Sequence, residues 1–364
     1  MSLKFNAVKY KNSTSGFAVV EDSLPVEVSN GKYLLPSPDH VLVKVHAAAL
    51  NPIDVIIKNS FPSWLFNGDK GFGMDYSGEV VAIGNDAAAS TGLVVSDRIS
   101  GLVQNFLGVG TVSEYLLINV KQNDGINARK IPRNLSYQEG AAFPLVFGTA
   151  QTMFDDVHKG NSFEKVLILG AGTAVGRFCV QLASKVYGSK TVVVTCSQRT
   201  EETIRELGAT SVIDYTKHKS ILTPVLESVK ESGEFDVILD CCGNSDLFPQ
   251  IKSILKSRED AGSYVTIVGD NKANFQTGSM GSLLLGNIRV GLRAAKSFFG
   301  FLPYFYAQSL VHPGGSWPDK CVANLQEGKV KVFIDSQYPM SEIQAAVDRL
   351  QSNKASGKVI VNVV

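Results

Sequence analysis

Along residues 1–133 the apolar positions come in short alternating runs divided by Gly, Asn, Asp and Ser. Examples are HVLVKVHAAAL (40–50), SGEVVAIG (77–84), SDRISGLV (96–103) and SEYLLI (113–118). Period-two alternation broken by turn residues predicts a compact β domain. The pattern changes at NLSYQEGAAFPLVFGTAQTMFDDV (134–157), where Ser136 and Glu139 have capping-box spacing ahead of an apolar stretch, which predicts a helix. From Lys165 strands and helices alternate: KVLILG (165–170), VGRFCVQLASKVYG (175–188), TVVVTC (191–196), TEETIRELG (200–208), SVIDY (211–215), FDVILD (235–240) and SYVTIVG (263–269). In the first of these helices Val175, Phe178, Cys179, Leu182, Ala183 and Val186 form one apolar stripe, and Gly188 supplies the stop. Continuous apolar strands separated by amphipathic helices imply a parallel sheet covered on both faces. A last helix, SEIQAAVDRLQS (341–352), precedes a closing strand, GKVIVNVV (357–364), which needs a sheet to join. The pattern leaves open whether that is the parallel sheet or the first domain.

At 364 residues the chain exceeds what one core usually organises, so two domains are expected. A formal net charge of +1 gives no nucleic-acid-sized basic footprint, and a small-molecule partner is expected instead. Cys179, Cys196, Cys241, Cys242 and Cys321 form no C-x-x-C pair and no zinc-site spacing with histidine, and read as reduced thiols. The N-terminal MSLKFNAVKYKN lacks the apolar core of a signal peptide, and no run has transmembrane length, so the cytoplasm is the expected location.

VLILGAGTAVGRF (166–178) sets Gly170, Gly172 and Gly176 between a buried strand and a helix start, the context a dinucleotide-binding turn requires. The third glycine stands one position later than in G-x-G-x-x-G. Glycines there let a pyrophosphate approach the free N–H groups of the helix. After the second strand, VVVTCSQRTEE offers no carboxylate for ribose hydroxyls. Ser197 and Arg199 stand there instead and suit a 2′-phosphate, so the expected cofactor is NADPH. Glu201 and Glu202 are expected to serve the helix dipole.

With these residues in hand, the chain resembles zinc-independent members of the medium-chain dehydrogenase/reductase superfamily, of the quinone-oxidoreductase and enone-reductase type. Within that group it looks most like a fungal branch of poorly characterised reductase-like proteins. The resemblance runs through AAALNPID, GMDYSGEVVAIG, SDRISG, EGAAFPLVFGTA, VLILGAGTAVG, ELGATSVIDY, FDVILDCCGN and GKVIV, in that order. It implies an α/β chain: a GroES-like β domain from residues 1–133 and 312–364, and a Rossmann domain with a doubly wound parallel sheet from 134–311. Metal-bearing relatives place cysteine where Asn51 stands and Gly-His-Glu where GMD stands, so no metal ligands are expected. Substrate polarisation then falls to hydrogen-bond donors, with Asn51 and Tyr76 the catalytic candidates and Asp54 an anchor of the N-P-x-D motif. The resemblance also implies cofactor contacts from Gly170, Gly172, Thr173, Ala174, Val175, Ser197, Arg199, Tyr215, Gly243 and Val268. Thr173 and Ala174 depart from the paired glycines of such reductases.

The expected function is NADPH-dependent reduction of an activated C=C bond or a quinone, on a small apolar substrate. Its rivals are a zinc-free carbonyl reductase and a non-catalytic cofactor-sensing or RNA-binding protein. NSFPSWLFNG (59–68), QNFLGVG (104–110) and the aromatic stretch 298–306 are expected to shape an apolar cleft. The segment 283–310 mixes aromatic and basic residues. The resemblance implies that it is buried in the cleft and in a homodimer interface, with contact to a lipid or organelle surface as the alternative its composition offers.

Overall fold

The computed structural model describes residues 2–104, 110–121, 127–157, 162–272, 274, 276–311 and 315–364. Alternation in the first part becomes antiparallel pairing. Along Ser2–Tyr10 the residues Leu3, Phe5 and Ala7 point inward while Ser2, Lys4 and Asn6 face out, and this strand pairs with Ala18–Ser29. The larger, mixed sheet runs in the order Ile334–Pro339, Lys358–Asn362, His40–Leu50, Asp75–Ile83, Arg98–Leu102, Arg129–Lys130. The closing strand therefore returns to the first domain. Val359 pairs with Leu50 and Ala49 with Asp75, so the ends of three strands converge beside Asn51.

The second sheet has six strands, all parallel, in the order Ser211–Asp214, Thr191–Cys196, Lys165–Leu169, Val237–Asp240, Ser263–Thr266, Phe305–Gln308. Its central strands are fully buried, as their continuous apolar runs require. The chain leaves Lys165–Leu169 toward one edge and returns to its other side at Val237–Asp240. The C-terminal ends of these two strands form the switch point at which ligands bind such sheets. The stripe helix is α-helical over Ala174–Gln181 and passes into a π turn at Leu182–Val186 before Gly188, at φ +67°, ends it.

The segment 283–310 departs from expectation. It folds as the helices Met280–Gly286 and Ile288–Phe298 and then the edge strand Phe305–Gln308. Val290 and Ser297 face the sheet, whereas Leu284, Leu285, Ile288, Leu292, Phe298, Phe299 and Phe301 are all more than half exposed. The expected burial within the chain is corrected: the helix spends one narrow face on the core and leaves the rest of its apolar surface outside. Among the described residues no helix is long and apolar enough to cross a membrane.

Candidate active site

A cavity of about 470 Å³ opens at the switch point and runs from the glycine turn to the convergent strand ends. At Gly170, φ +76°, an added Cβ would lie 2.7 Å from Cys242 Cβ. At Gly176 it would lie 2.3 Å from the Gly170 carbonyl oxygen, so the helix can start this close to the strand only without a side chain. Thr173 caps the helix, its hydroxyl accepting from Gly176 N–H at 3.0 Å. Thr173 in this loop is thus a helix cap. Ala174 and Val175 are the first helical residues, whose N–H groups have no acceptor within the helix. Gly170, Gly172, Thr173 and Ala174 line the cavity; the Val175 side chain does not, being buried in the core, so only its backbone faces the turn.

Further along, Ser197, Arg199 and Tyr215 line the same wall. Ser197 begins the helix Gln198–Leu207 without a capping bond from its hydroxyl. The Arg199 guanidinium donates to the Lys354 carbonyl at 2.7 Å, and among the described residues no carboxylate pairs with it. Glu201 is taken up by Arg205 at 2.9 Å on the same helix. His218 and Lys219 also line this end. Sequence reasoning missed them; their signal was the run KHK just after VIDY. Gly243 and Val268 close the opposite wall. The loop carrying Gly243 is held by Asp240, which accepts from the N–H groups of Cys242, Gly243 and Asn244 at 3.1, 2.8 and 3.0 Å. A turn with glycine clearance, free helix N–H groups and a cationic far end fits a dinucleotide phosphate.

The other end of the cavity is polar and buried. Asn51 has no exposed surface, and its Nδ2 donates to Asp75 Oδ2 at 2.8 Å and to the Ala49 carbonyl at 3.4 Å. Its Oδ1 accepts from the Lys358 ammonium, which also reaches Asp75 Oδ2 at 3.1 Å. The second Asp75 oxygen accepts from Leu145 N–H at 2.9 Å, where the helix Pro144–Val157 begins. Burial pushes the Asp75 carboxyl up, while the Lys358 ammonium and the Asn51 amide pull it back. Asp54 anchors the N-P-x-D turn as expected, accepting from Asn51 N–H at 2.7 Å. Its other oxygen is buried with no partner among the described residues, and burial moves its pKa from the usual 3.8 to about 7. Both Asn51 and Lys358 line the cavity.

Tyr76 is placed elsewhere, and its expected role as a proton donor in this cavity is corrected. It is completely buried among Val41, Val43, Val45, Val80 and Ile99, its ring against Gly101. Side chains alternate along a strand, so the face that brings Asp75 to the cluster turns Tyr76 into the β-domain core. The expected aromatic walls also lie off this cavity. Phe61 packs on Phe66 and on Tyr10, while Trp64, Phe298, Phe299 and Phe301 face outward. Residues 105–109 of the third expected wall lie outside the described residues. All five cysteines are free; Cys241 and Cys242 line the cavity without bonding to each other.

A metal fits this cluster poorly. Asn51 and Met74 offer an amide and a buried thioether, and Asp75 is already committed to an ammonium. Among the described residues no group of three or more His, Cys, Asp or Glu side chains is placed to hold a metal ion.

Two family models match the chain: an alcohol dehydrogenase GroES-like domain over residues 37–127 and a zinc-binding dehydrogenase over 207–361. The protein YIM1 of Vanderwaltozyma polyspora is 34% identical over 98% of this chain and 99% of its own length. Among solved structures, a quinone oxidoreductase from Coxiella burnetii superposes with a TM-score of 0.72 at 20% identity, covering 100% of both chains. An alcohol dehydrogenase superfamily protein from Novosphingobium aromaticivorans does so with a TM-score of 0.73 at 21% identity, covering 99% of this chain and 100% of the other.

Proposed function

We propose that this chain, which belongs to the YIM1 family within the medium-chain dehydrogenase/reductase superfamily, is an NADPH-dependent, zinc-independent reductase of activated C=C bonds or quinones. One observation carries the reading: a single cavity joins a phosphate-binding turn to a buried cluster of hydrogen-bonding groups. When bound, the dinucleotide would supply the hydride. Its pyrophosphate would rest on the turn at Gly170–Ala174, and its 2′-phosphate would meet Ser197 and Arg199, with His218 and Lys219 beside them. At the far end a buried cluster of Asn51, Asp75 and Lys358, with the Asn51 backbone fixed by Asp54, would meet the substrate oxygen.

The test is NADPH oxidation against quinones, enones, aldehydes and ketones with products identified. A saturated ketone from an enone supports the reading. An allylic alcohol assigns the chain to carbonyl reduction, and a panel with no turnover overturns it. Zinc independence is supported by the donor set, since Asn51 and Met74 stand where a ligand would be needed. Purified protein is therefore expected to hold no stoichiometric zinc and to keep its activity in chelator; elemental analysis finding one tightly bound zinc per chain would reverse this. The exposed apolar face of residues 284–301 supports a homodimer in the cytoplasm, a second copy covering what the single chain leaves bare. Co-flotation with liposomes would reassign that face to a lipid surface.

A further inference from the structure

We infer that Lys358 is the catalytic electrophile of this site: its ammonium is the group that stabilises negative charge on the substrate oxygen. The inference rests on the reductase reading above and names the residue that takes the part of a Lewis acid. An ammonium has three N–H donors. Two are used, on Asn51 Oδ1 and Asp75 Oδ2, and among the described residues the third has no acceptor. Lys358 is only 4% exposed and yet lines the cavity, so what surface it has faces the space a substrate would enter. The same contacts disqualify the alternative donor. Both Nδ2 bonds of Asn51 go to Asp75 and the Ala49 carbonyl, so its amide has little left to offer an oxyanion. Asn51 and Asp75 are positioning residues that aim Lys358.

The chemistry needs such a group whichever bond is reduced. When hydride adds to the β-carbon of an enone, the C=C electron pair shifts, the carbonyl π pair moves onto oxygen, and an enolate forms. It is discharged when water delivers a proton to the α-carbon. When hydride adds to a carbonyl carbon or a quinone, the charge again lands on oxygen and is discharged by a proton there. A buried ammonium faces that oxygen at low local dielectric, where a fixed donor is most effective.

Lys358→Met is expected to lower kcat on any accepted substrate by roughly a hundred- to a thousand-fold, the loss typical of one oxyanion donor. NADPH affinity, measured by fluorescence titration, should stay within about three-fold. Lys358→Arg should recover part of the rate. Because Lys358→Met leaves Asp75 without its counter-charge, Asp75→Asn/Lys358→Met is run beside it, and the same loss of kcat is expected. A second readout needs no turnover. para-Nitrophenol added to the complex with NADP+ should bind as the yellow phenolate in the wild type and as the colourless phenol in both Met variants. Phenolate bound equally by all three overturns the role of Lys358, as does loss of NADPH affinity in place of kcat, which assigns the ammonium to the cofactor's phosphates. Phenolate selection without turnover on any substrate would keep Lys358 as an oxyanion site and overturn the reductase reading alone.

Discussion

Asp75→Ala is expected to destabilise the protein by about 3–5 kcal/mol, the cost of stripping the partner from a buried charge. Asp75 has no exposed surface and Lys358 almost none, so water cannot replace the lost carboxylate. Three groups lose an acceptor at once: the Lys358 ammonium, the Asn51 amide and Leu145 N–H. The last opens the helix Pro144–Val157, so the damage spreads from the β domain into the helix that leads to the parallel sheet. Asp75→Asn should cost less, since an amide oxygen can still accept one of these bonds. Asp75→Ala/Lys358→Met should recover much of the loss, because no unpaired charge is then left inside. Urea midpoints at constant m-value measure all three. An Asp75→Ala midpoint equal to wild type would mean that the cluster is hydrated and the pair weak.

The second large effect concerns cofactor choice. Arg199 stands at the cationic end of the cavity, and among the described residues its charge is unmatched by any carboxylate while the Lys354 carbonyl takes one of its donors. A charge-assisted hydrogen bond is worth about 1.5–3 kcal/mol. Arg199→Ala should therefore weaken NADPH by roughly ten- to a hundred-fold, at about 1.4 kcal/mol per decade, and leave NADH nearly unchanged. Arg199→Glu should narrow or reverse the preference by repelling the phosphate. Dissociation constants for both cofactors at fixed ionic strength decide the matter, because Arg199 is exposed and its field is screened. Equal wild-type affinity for the two, or equal weakening of both by Arg199→Ala, would return Arg199 to the role of a surface charge. His218 and Lys219 also line this cavity and are expected to set any residual preference of the Ala variant.

Local signals were readable and distant ones were not. The alternation after Lys165, the Ser136–Glu139 capping box and the Gly188 stop are events within a few residues, and each appears where the pattern puts it. The glycine turn is legible for the same reason. Lys358 carried no such signal: in SGKVIVNVV it reads as the polar first residue of a strand, and its partners Asn51 and Asp75 lie about 300 and 280 positions away. Only the antiparallel register of Lys358–Asn362 on His40–Leu50 brings them together. Asp75 and Tyr76 show a subtler limit. Period-two alternation says that neighbours point opposite ways, and it does not say which of the two faces the ligand. For the segment 283–310 the burial implied by the resemblance did not carry over to the single chain, because a resemblance does not reveal how narrow a stripe the sheet will accept.

Between the unfolded and folded pKa values of Asp54, folding is expected to take up a proton. In the unfolded chain its carboxyl ionises near the usual 3.8, while inside the fold it holds its proton up to about pH 7. A carboxyl whose folded pKa is raised favours the native state in acid. Its contribution is complete below the unfolded value and is withdrawn as pH climbs through the window to about 7. The limiting slope is about 1.4 kcal/mol per pH unit for one proton. Stability should therefore fall between mildly acid and neutral solution, and Asp54→Asn should flatten that part of the curve while still offering an oxygen to Asn51 N–H. Parallel slopes for wild type and variant would place the titrating proton elsewhere. A small acidification of the surroundings would thus favour the folded chain through a single carboxyl seated in the turn on which Asn51 is mounted.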